Sequence, residues 1–314
     1  MHSQVVTVFG GSGFVGRYVV KRLAELGAVV RVPSRRPERA LFLKPLGAIG
    51  QINIEPWNPT AAGEVDRLLA GSDHAVSLIG ILFEASKGDF DRVQGRLPGE
   101  IAKAAAAHGL KRMVHVSAIG ANASATVAYA RTKAAGEAAA RAAFPDVTIL
   151  RPSIVFGPED NFFNRFARMS QIMPALPLIG GGDTRFQPVY VGNVAEAVIA
   201  GLQREDVAGR TYELGGPSIY TFRELLRYLL EVTGRRRLLL NLPFGLATLQ
   251  AGLLELLPVP PLTRDQVAML KHDNVVSTGA PGLAELGIAP TPLEVIVPSY
   301  VRAFALPATR LPVF

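Results

Sequence analysis

"VTVFGGSGFVGRYVV", residues 6–20, sets the fold. An apolar β-branched run ending at Phe9 meets glycines at 10, 11, 13 and 16, and an amphipathic segment follows from Arg17. The order is strand, glycine bend, helix. Glycine lets a backbone turn tightly and come close to a ligand without a Cβ in the way. Gly10-x-x-Gly13-x-x-Gly16 between a strand and a helix is the context of a dinucleotide-binding turn, one residue away from the commoner G-x-G-x-x-G spacing. The phosphates of such a ligand lie against the free N–H groups that open the helix, where the macrodipole favours negative charge. Gly10, Gly11, Ser12, Gly13, Phe14, Val15 and Gly16 are therefore candidate phosphate-binding residues. The alternative is a tight strand–helix turn with no ligand.

Outward from this bend, short β-branched runs alternate with alanine-rich helical runs. "AVVRVPSR" (28–35), "HAVSLIG" (74–80), "RMVHVSAIG" (112–120) and "VTILRPSIVFG" (147–157) read as strands. "LPGEIAKAAAAHG" (97–109) and "YARTKAAGEAAARAAF" (129–144) read as helices. This alternation predicts an α/β fold, a Rossmann-type doubly wound parallel sheet covered by helices on both faces. The expected boundaries are a nucleotide-binding domain over 1–156, with return segments near 186–216, and a smaller interleaved C-terminal lobe over 157–314. Loops rich in proline and glycine are expected at 174–184, and a leucine-rich helix near 238–257.

With 314 residues, 49% hydrophobic and 19% charged, the chain has ample material for a large core. It has no cysteine, which excludes disulfides, thiolate metal sites and cysteine nucleophiles. Five scattered histidines give no metal-ligand spacing. Met1–Gln4 leave no room for a leader before the first strand, as expected of a bacterial cytoplasmic protein or of a mature form. The net charge of +7 rests mainly on dispersed arginines without interleaved aromatics, a pattern for phosphate ligands or anionic lipid and against nucleic acid.

The end of the second strand selects the nucleotide. A carboxylate there binds a ribose 2′-hydroxyl, whereas arginine accommodates a 2′-phosphate. The sequence offers Ser34-Arg35-Arg36 with no acid before Glu38, which favours NADPH over NADH. The alternative is a pair of solvated arginines before a proline. Arg17 is a weaker candidate for phosphate contact. Ile79 and Gly80, at the end of the "HAVSLIG" strand, are expected to pass under the cofactor.

"YARTK" places Tyr129 and Lys133 four residues apart, on one face of a helix. An ammonium beside a phenol favours phenolate, suiting the tyrosine to proton exchange with a carbonyl or alcohol. The fingerprint, the strand "VHVSAIGA", the Tyr129/Lys133 pair and "RPSIVFGP" (151–158) together resemble the extended short-chain dehydrogenase/reductase superfamily. The resemblance implies catalytic Tyr129 and Lys133, and cofactor contacts from Ser117, Pro152, Ser153 and Val155. It also implies a hydroxyl-bearing residue where this chain has Ile119, and an asparagine where Gln94 stands nearest. Isoleucine cannot donate to a developing alkoxide. Ser117, Ser124 and Thr126 are nearby substitutes. Tyr129 and Lys133 thus have a second reading, as groups that hold the nicotinamide ribose without turnover.

"GPEDNFFNRFA" (157–167) and "PPLTRDQVAMLKHDNVV" (260–276) resemble more particularly the NADPH-binding accessory subunits of respiratory complex I, an atypical branch of that superfamily. That resemblance runs from about residue 4 to about residue 300. It implies complex I subunits as partners and a peripheral place on the cytoplasmic face of a bacterial inner membrane, or on the matrix side in mitochondria. From Phe244 onward, Leu246, Leu249, Leu253, Leu256 and Leu257 share one helical face, behind Arg235-Arg236-Arg237. This suits an anionic membrane surface or a partner, and equally an ordinary core helix. Asp160, Asn161, Arg165, Arg185 and Gln187 are polar candidates for a substrate pocket or for a loop covering the nicotinamide. An active NADPH-dependent reductase or epimerase on a lipid-like carbonyl is the alternative function; a nucleotide-sensing regulator is a third.

Overall fold

The computed structural model describes residues 1–305. Residues 306–314, the end of the expected C-terminal lobe, lie outside the described residues. The first six strands are β1 (Val5–Phe9), β2 (Val29–Ser34), β3 (Ile52–Pro56), β4 (His74–Ser77), β5 (Arg112–Val116) and β6 (Thr148–Pro152). Then come β7 (Val155–Phe156), β8 (Ala175–Ile179), β9 (Arg185–Phe186), β10 (Val189–Tyr190), β11 (Thr211–Leu214), β12 (Tyr220–Thr221) and β13 (Leu238–Leu242). The first helices are α1 (Phe14–Glu25), α2 (Glu64–Leu69), α3 (Leu97–Ala107), α4 (Ala128–Ala143) and α5 (Phe163–Ile172). They are followed by α6 (Val191–Gln203), α7 (Phe222–Val232), α8 (Phe244–Leu254), α9 (Arg264–Met269) and α10 (Leu293–Val301).

Seven strands form one parallel sheet in the order β11-β6-β5-β4-β1-β2-β3. Its central strands are mostly apolar because both faces are covered, with Thr7, His74, Ser77 and His115 as buried polar exceptions. Val6, Val8, Val30, Val32, Val76 and Val114 face α1 and α6. Phe9, Ala75, Met113 and Ile149 face α3 and α4. Alanine and glycine let the latter helices pack closely, since a Cβ on Gly99 would lie 2.8 Å from the Ala139 methyl. Strand order reverses between β1 and β4, which opens a crevice at their C-terminal ends with the β1–α1 bend as its floor.

The sequence reading passed over β3 and α2, so the strand at His74 is the fourth in the chain. β3 is an edge strand whose Asn53 and Pro56 are exposed, so only Ile52 and Ile54 mark it in the sequence. The supposed loop at 174–184 contains β8, which pairs in parallel with β13. The leucine-rich tract is thus a strand before Pro243 and a helix after it, because Leu238 and Leu240 alternate outward while Leu239 turns in. Phe156, Phe163, Leu176, Leu178, Phe222 and Leu226 form a hydrophobic cluster of their own, apart from the two that cover the sheet. α7 enters it through a capping box between Thr221 and Glu224.

Candidate nucleotide site

The β1–α1 bend is shaped by contacts that only glycine tolerates. Gly10 has φ +84°, in the left-handed region, and a Cβ on it would lie 3.2 Å from the Leu78 carbonyl carbon. A Cβ on Gly16 would lie 2.2 Å from the Gly10 oxygen. The Gly11 and Gly13 N–H groups close the turn onto Val8 and Gly10 oxygens at 3.2 and 2.9 Å. Gly13 caps α1 without a side chain, and no acid stands in the first turn. The opening N–H groups of that helix and its positive end are left for an external anion. Ser12, Phe14 and Val15 are half-buried around the bend. This cradle fits a dinucleotide pyrophosphate.

Beyond it, Ser34 is buried and its hydroxyl accepts from the Arg36 N–H at 3.3 Å, fixing the turn that presents Arg35 and Arg36. Both arginines are exposed. Arg35 lines an open cavity of about 480 Å³ with Trp57, Asn58, Ala61, Glu64 and Arg67. Trp57 packs edge-on to Phe9, and its buried indole N–H has no partner among the described residues. Trp57 and Asn58 escaped the sequence reading because β3 did; their signal was the turn-like "PWNP" after an apolar alternation.

At the other end of the crevice the structure brings Gly80, Gln94, Ser117 and Lys133 together. A Cβ on Gly80 would lie 3.2 Å from Lys133 Nζ and 3.6 Å from Gln94 Oε1. The Lys133 ammonium donates to the Val116 oxygen at 3.4 Å, next to Ser117, whose buried hydroxyl has no partner among the described residues. Ile79 packs half-buried on the core at the same strand end. Burial pulls Lys133 down to about 8, against the opposing field of Glu137. Glu137 itself is bound by Arg151 at 2.6 and 2.9 Å. A buried cation in this state gains from an incoming anion or polyol.

Tyr129 is half-buried at the start of α4, its ring edge-on to Phe90 and its N–H donating to Asp265 of α9 at 3.4 Å. Burial pushes its phenol up to about 12. Burial thus favours the protonated phenol, the form that can donate a proton. Ile119, the position where the resemblance implies a hydroxyl, is buried and its N–H bonds the Pro152 oxygen at 3.0 Å. Ser124 and Thr126 are exposed, and the Ser124 hydroxyl donates to Asn122 at 2.8 Å.

Other expected contacts have structural duties. The Ser153 hydroxyl donates to the oxygens of Asn274, at 2.6 and 2.8 Å. Pro152 is buried, and Val155 is half-buried in β7. Asp160 is buried and accepts from the Gly157 and Asn164 N–H groups and the Tyr300 hydroxyl. Arg165 donates to the Pro261 oxygen, Arg185 pairs with Asp273 at 2.7 Å, and Gln187 bonds Gly216 and Val276. Through these bonds Arg165, Arg185 and Gln187 hold the 260–276 segment, and Asp160 holds Tyr300 of α10. Asn161 is exposed.

Two buried histidines on neighbouring strands, His74 at the start of β4 and His115 near the end of β5, make a pH prediction. Burial holds His74 down at about 4 and His115 at about 3, the latter also opposed by the Lys133 charge. Both are neutral when folded, whereas the unfolded chain takes up protons near pH 6.5. Stability is full above that pH and falls as pH drops toward the folded values. The His74 contribution amounts to about 3 kcal/mol. Thermal melts between pH 7 and 4.5 should show this loss, and His74→Gln should flatten the slope; an unchanged slope would assign the acid sensitivity elsewhere.

A model of the NAD dependent epimerase/dehydratase family matches residues 6–215. The chain belongs to the NAD-dependent epimerase/dehydratase family. Among its relatives, the mouse mitochondrial protein NADH dehydrogenase (ubiquinone) 1 alpha subcomplex subunit 9 is 35% identical over 293 residues, covering 92% of this chain and 78% of that protein. The ceramide reductase of Caulobacter vibrioides is 30% identical over 244 residues, covering 76% of this chain and 74% of that protein. The Citrobacter triphenylmethane reductase complexed with NADP(H) superimposes with a TM-score of 0.73 at 20% identity, over 96% of this chain and all of that one. The last likeness concerns the fold alone, which this epimerase/dehydratase family chain shares throughout.

Proposed function

We propose that this chain is an NADPH-binding accessory subunit of respiratory complex I, peripheral to the membrane and without turnover of its own. The observation that carries the reading is a nucleotide cradle complete at Gly10–Gly16. In this reading buried Ile119 stands where the resemblance calls for a hydroxyl, which leaves Ser117 beside Lys133 to hold the cofactor. The 35% identity to the mouse complex I subunit supports the same assignment. Bound NADPH would supply a hydride; in this proposal the chain's residues hold it without turnover. Gly10, Gly11, Ser12, Gly13, Phe14, Val15 and Gly16 would cradle the pyrophosphate, and Arg35 and Arg36 the 2′-phosphate. Lys133, Ser117 and Tyr129 would hold the nicotinamide ribose, with Ile79, Gly80, Pro152 and Val155 lining the ring. A ligand that binds only the folded chain stabilises it by mass action.

In this proposal residues 1–156 with the return near 186–216 hold the nucleotide, while the lobe from 157 onward docks. On α8, Ala247 and Ala251 are buried and Leu246, Leu249 and Leu253 are exposed, continuing into exposed Leu256 and Leu257. The leucine face points outward, contrary to the core-helix alternative. Arg236, exposed at the start of the neighbouring strand, is available to lipid phosphate. No helix among the described residues is long and apolar enough to cross a membrane. A place on the cytoplasmic or matrix side follows from the proposed partner.

A second reading, an NADPH-dependent reductase of a lipid-like carbonyl, is favoured by the 30% identity to the ceramide reductase and by a Tyr129 phenol that stays protonated and able to donate. Tagging the chain in its host and solubilising membranes gently separates the two. Co-purification in proportion with complex I subunits, with Tyr129→Phe leaving that recovery intact, is the expected result. Recovery without them, together with carbonyl reduction that collapses in Tyr129→Phe, would establish the reductase.

A further inference from the structure

One cation at the mouth of the cradle is not accounted for. Arg17 follows Gly16 in the opening turns of α1, where side chains lean back toward the helix N-terminus. Its guanidinium carbon lies 4.8 Å from the centre of the Phe42 ring, on the Pro37–Leu46 segment that continues from Arg35-Arg36. On its other side, Nη1 pairs with Glu159 at 3.2 Å, from the loop after β7. Arg17 therefore bridges the two banks of the nucleotide crevice. Its Nε–H is buried and has no partner among the described residues. A buried donor without an acceptor is costly, and points to a group the protein is built to receive.

We propose that Arg17 is a further ligand of the dinucleotide's phosphates and that Glu159 is its built-in competitor, released when the nucleotide binds. The proposal rests on the nucleotide reading above and adds the exchange that admits the ligand. Three features make that exchange easy. The Arg17–Glu159 pair is 30% and 38% exposed, and such a pair contributes at most about 1 kcal/mol. The Phe42 ring keeps hold of the guanidinium while its partner changes. Glu159 is not stranded afterwards, because it also accepts from the Tyr18 hydroxyl at 2.8 Å. A phosphate offers the guanidinium fork two charge-assisted bonds, including one for Nε.

The test is a set of binding titrations at low salt with NADPH and NADH on wild type, Arg17→Met, Glu159→Gln and the double variant. Glu159→Gln should tighten NADPH several-fold, because the competitor is gone. Arg17→Met should weaken it by about tenfold or more. The double variant should behave as Arg17→Met, since Glu159 acts through Arg17. Should Arg17→Met lower the melting temperature of the empty protein, Arg17→Lys replaces it, keeping the charge but losing the fork. Unchanged or weaker binding by Glu159→Gln overturns the proposal, as does equal tightening with or without Arg17. Wild type that binds neither nucleotide rejects the nucleotide reading itself, a separate outcome.

Discussion

Gly16→Ala is expected to destabilise the protein by about 3 kcal/mol or more and to abolish nucleotide binding. The added methyl would stand 2.2 Å from the Gly10 oxygen and 2.6 Å from the Gly11 backbone, and no side chain can rotate away to relieve it. Relief requires α1 to move off the end of β1. α1 is packed on the sheet through Val19, Val20 and Leu23, so the strain passes directly into the larger core. Gly13→Ala makes the control. Its methyl would approach only the Gly10 oxygen, at 3.1 Å, from an exposed position. It should cost no more than about 1 kcal/mol, yet it puts a Cβ in the cradle and should still weaken dinucleotide binding. Urea unfolding and NADPH titration on both variants check the contrast. Wild-type stability in Gly16→Ala would mean that the bend is looser than its contacts require.

The same glycines explain what the sequence made legible. A glycine at a close backbone approach cannot be exchanged, so its spacing survives as a pattern that can be read without coordinates. Strands buried on both faces are nearly as plain, because Val6 and Val8 or Val30 and Val32 recur within short β-branched runs broken only by Thr7 and Arg31. β3 lacks that signature, being short, at an edge and partly exposed, and Trp57 and Asn58 were lost with it. The tract at 238–242 misled for a different reason. Four leucines in five residues suit either period, and only the pairing with β8, about sixty residues earlier in the chain, makes them a strand.

Within the site, residues that act through backbone or position were legible, whereas side chains whose partners lie far along the chain were not. Lys133 reaching the end of β4 follows from the i, i+4 pair and the fold. Ser153 turning to Asn274, 121 residues away, follows from nothing local. Asp160, a candidate for a substrate pocket or for fixing a covering loop, is bonded by Tyr300, 140 residues on, and nothing local announces that partner. The Arg17–Glu159 pair likewise joins two motifs that the sequence presents separately.

Arg35→Asp should weaken NADPH binding by roughly a hundredfold while changing NADH binding only a few-fold. Arg35 is exposed at the rim of the cavity it shares with Trp57 and Asn58, and neither it nor Arg36 pairs with a carboxylate among the described residues. Nothing internal screens their charge from an incoming phosphate. Reversing one charge against a 2′-phosphate a few ångströms away removes an attraction and adds a repulsion, together roughly 3 kcal/mol at a surface site. NADH has no 2′-phosphate, so it meets only the change in the general field, which salt screens further. The selectivity should therefore shrink as ionic strength rises. Trp57 is the chain's only tryptophan and lines the same cavity, so its fluorescence reports either nucleotide. Arg36→Asp separates the two arginines, and the one that holds the phosphate shows the larger change. Equal losses for NADPH and NADH in both variants would show that the pair repels or unfolds something other than a 2′-phosphate subsite, and would return the choice of nucleotide to the β1–α1 bend, which does not distinguish them.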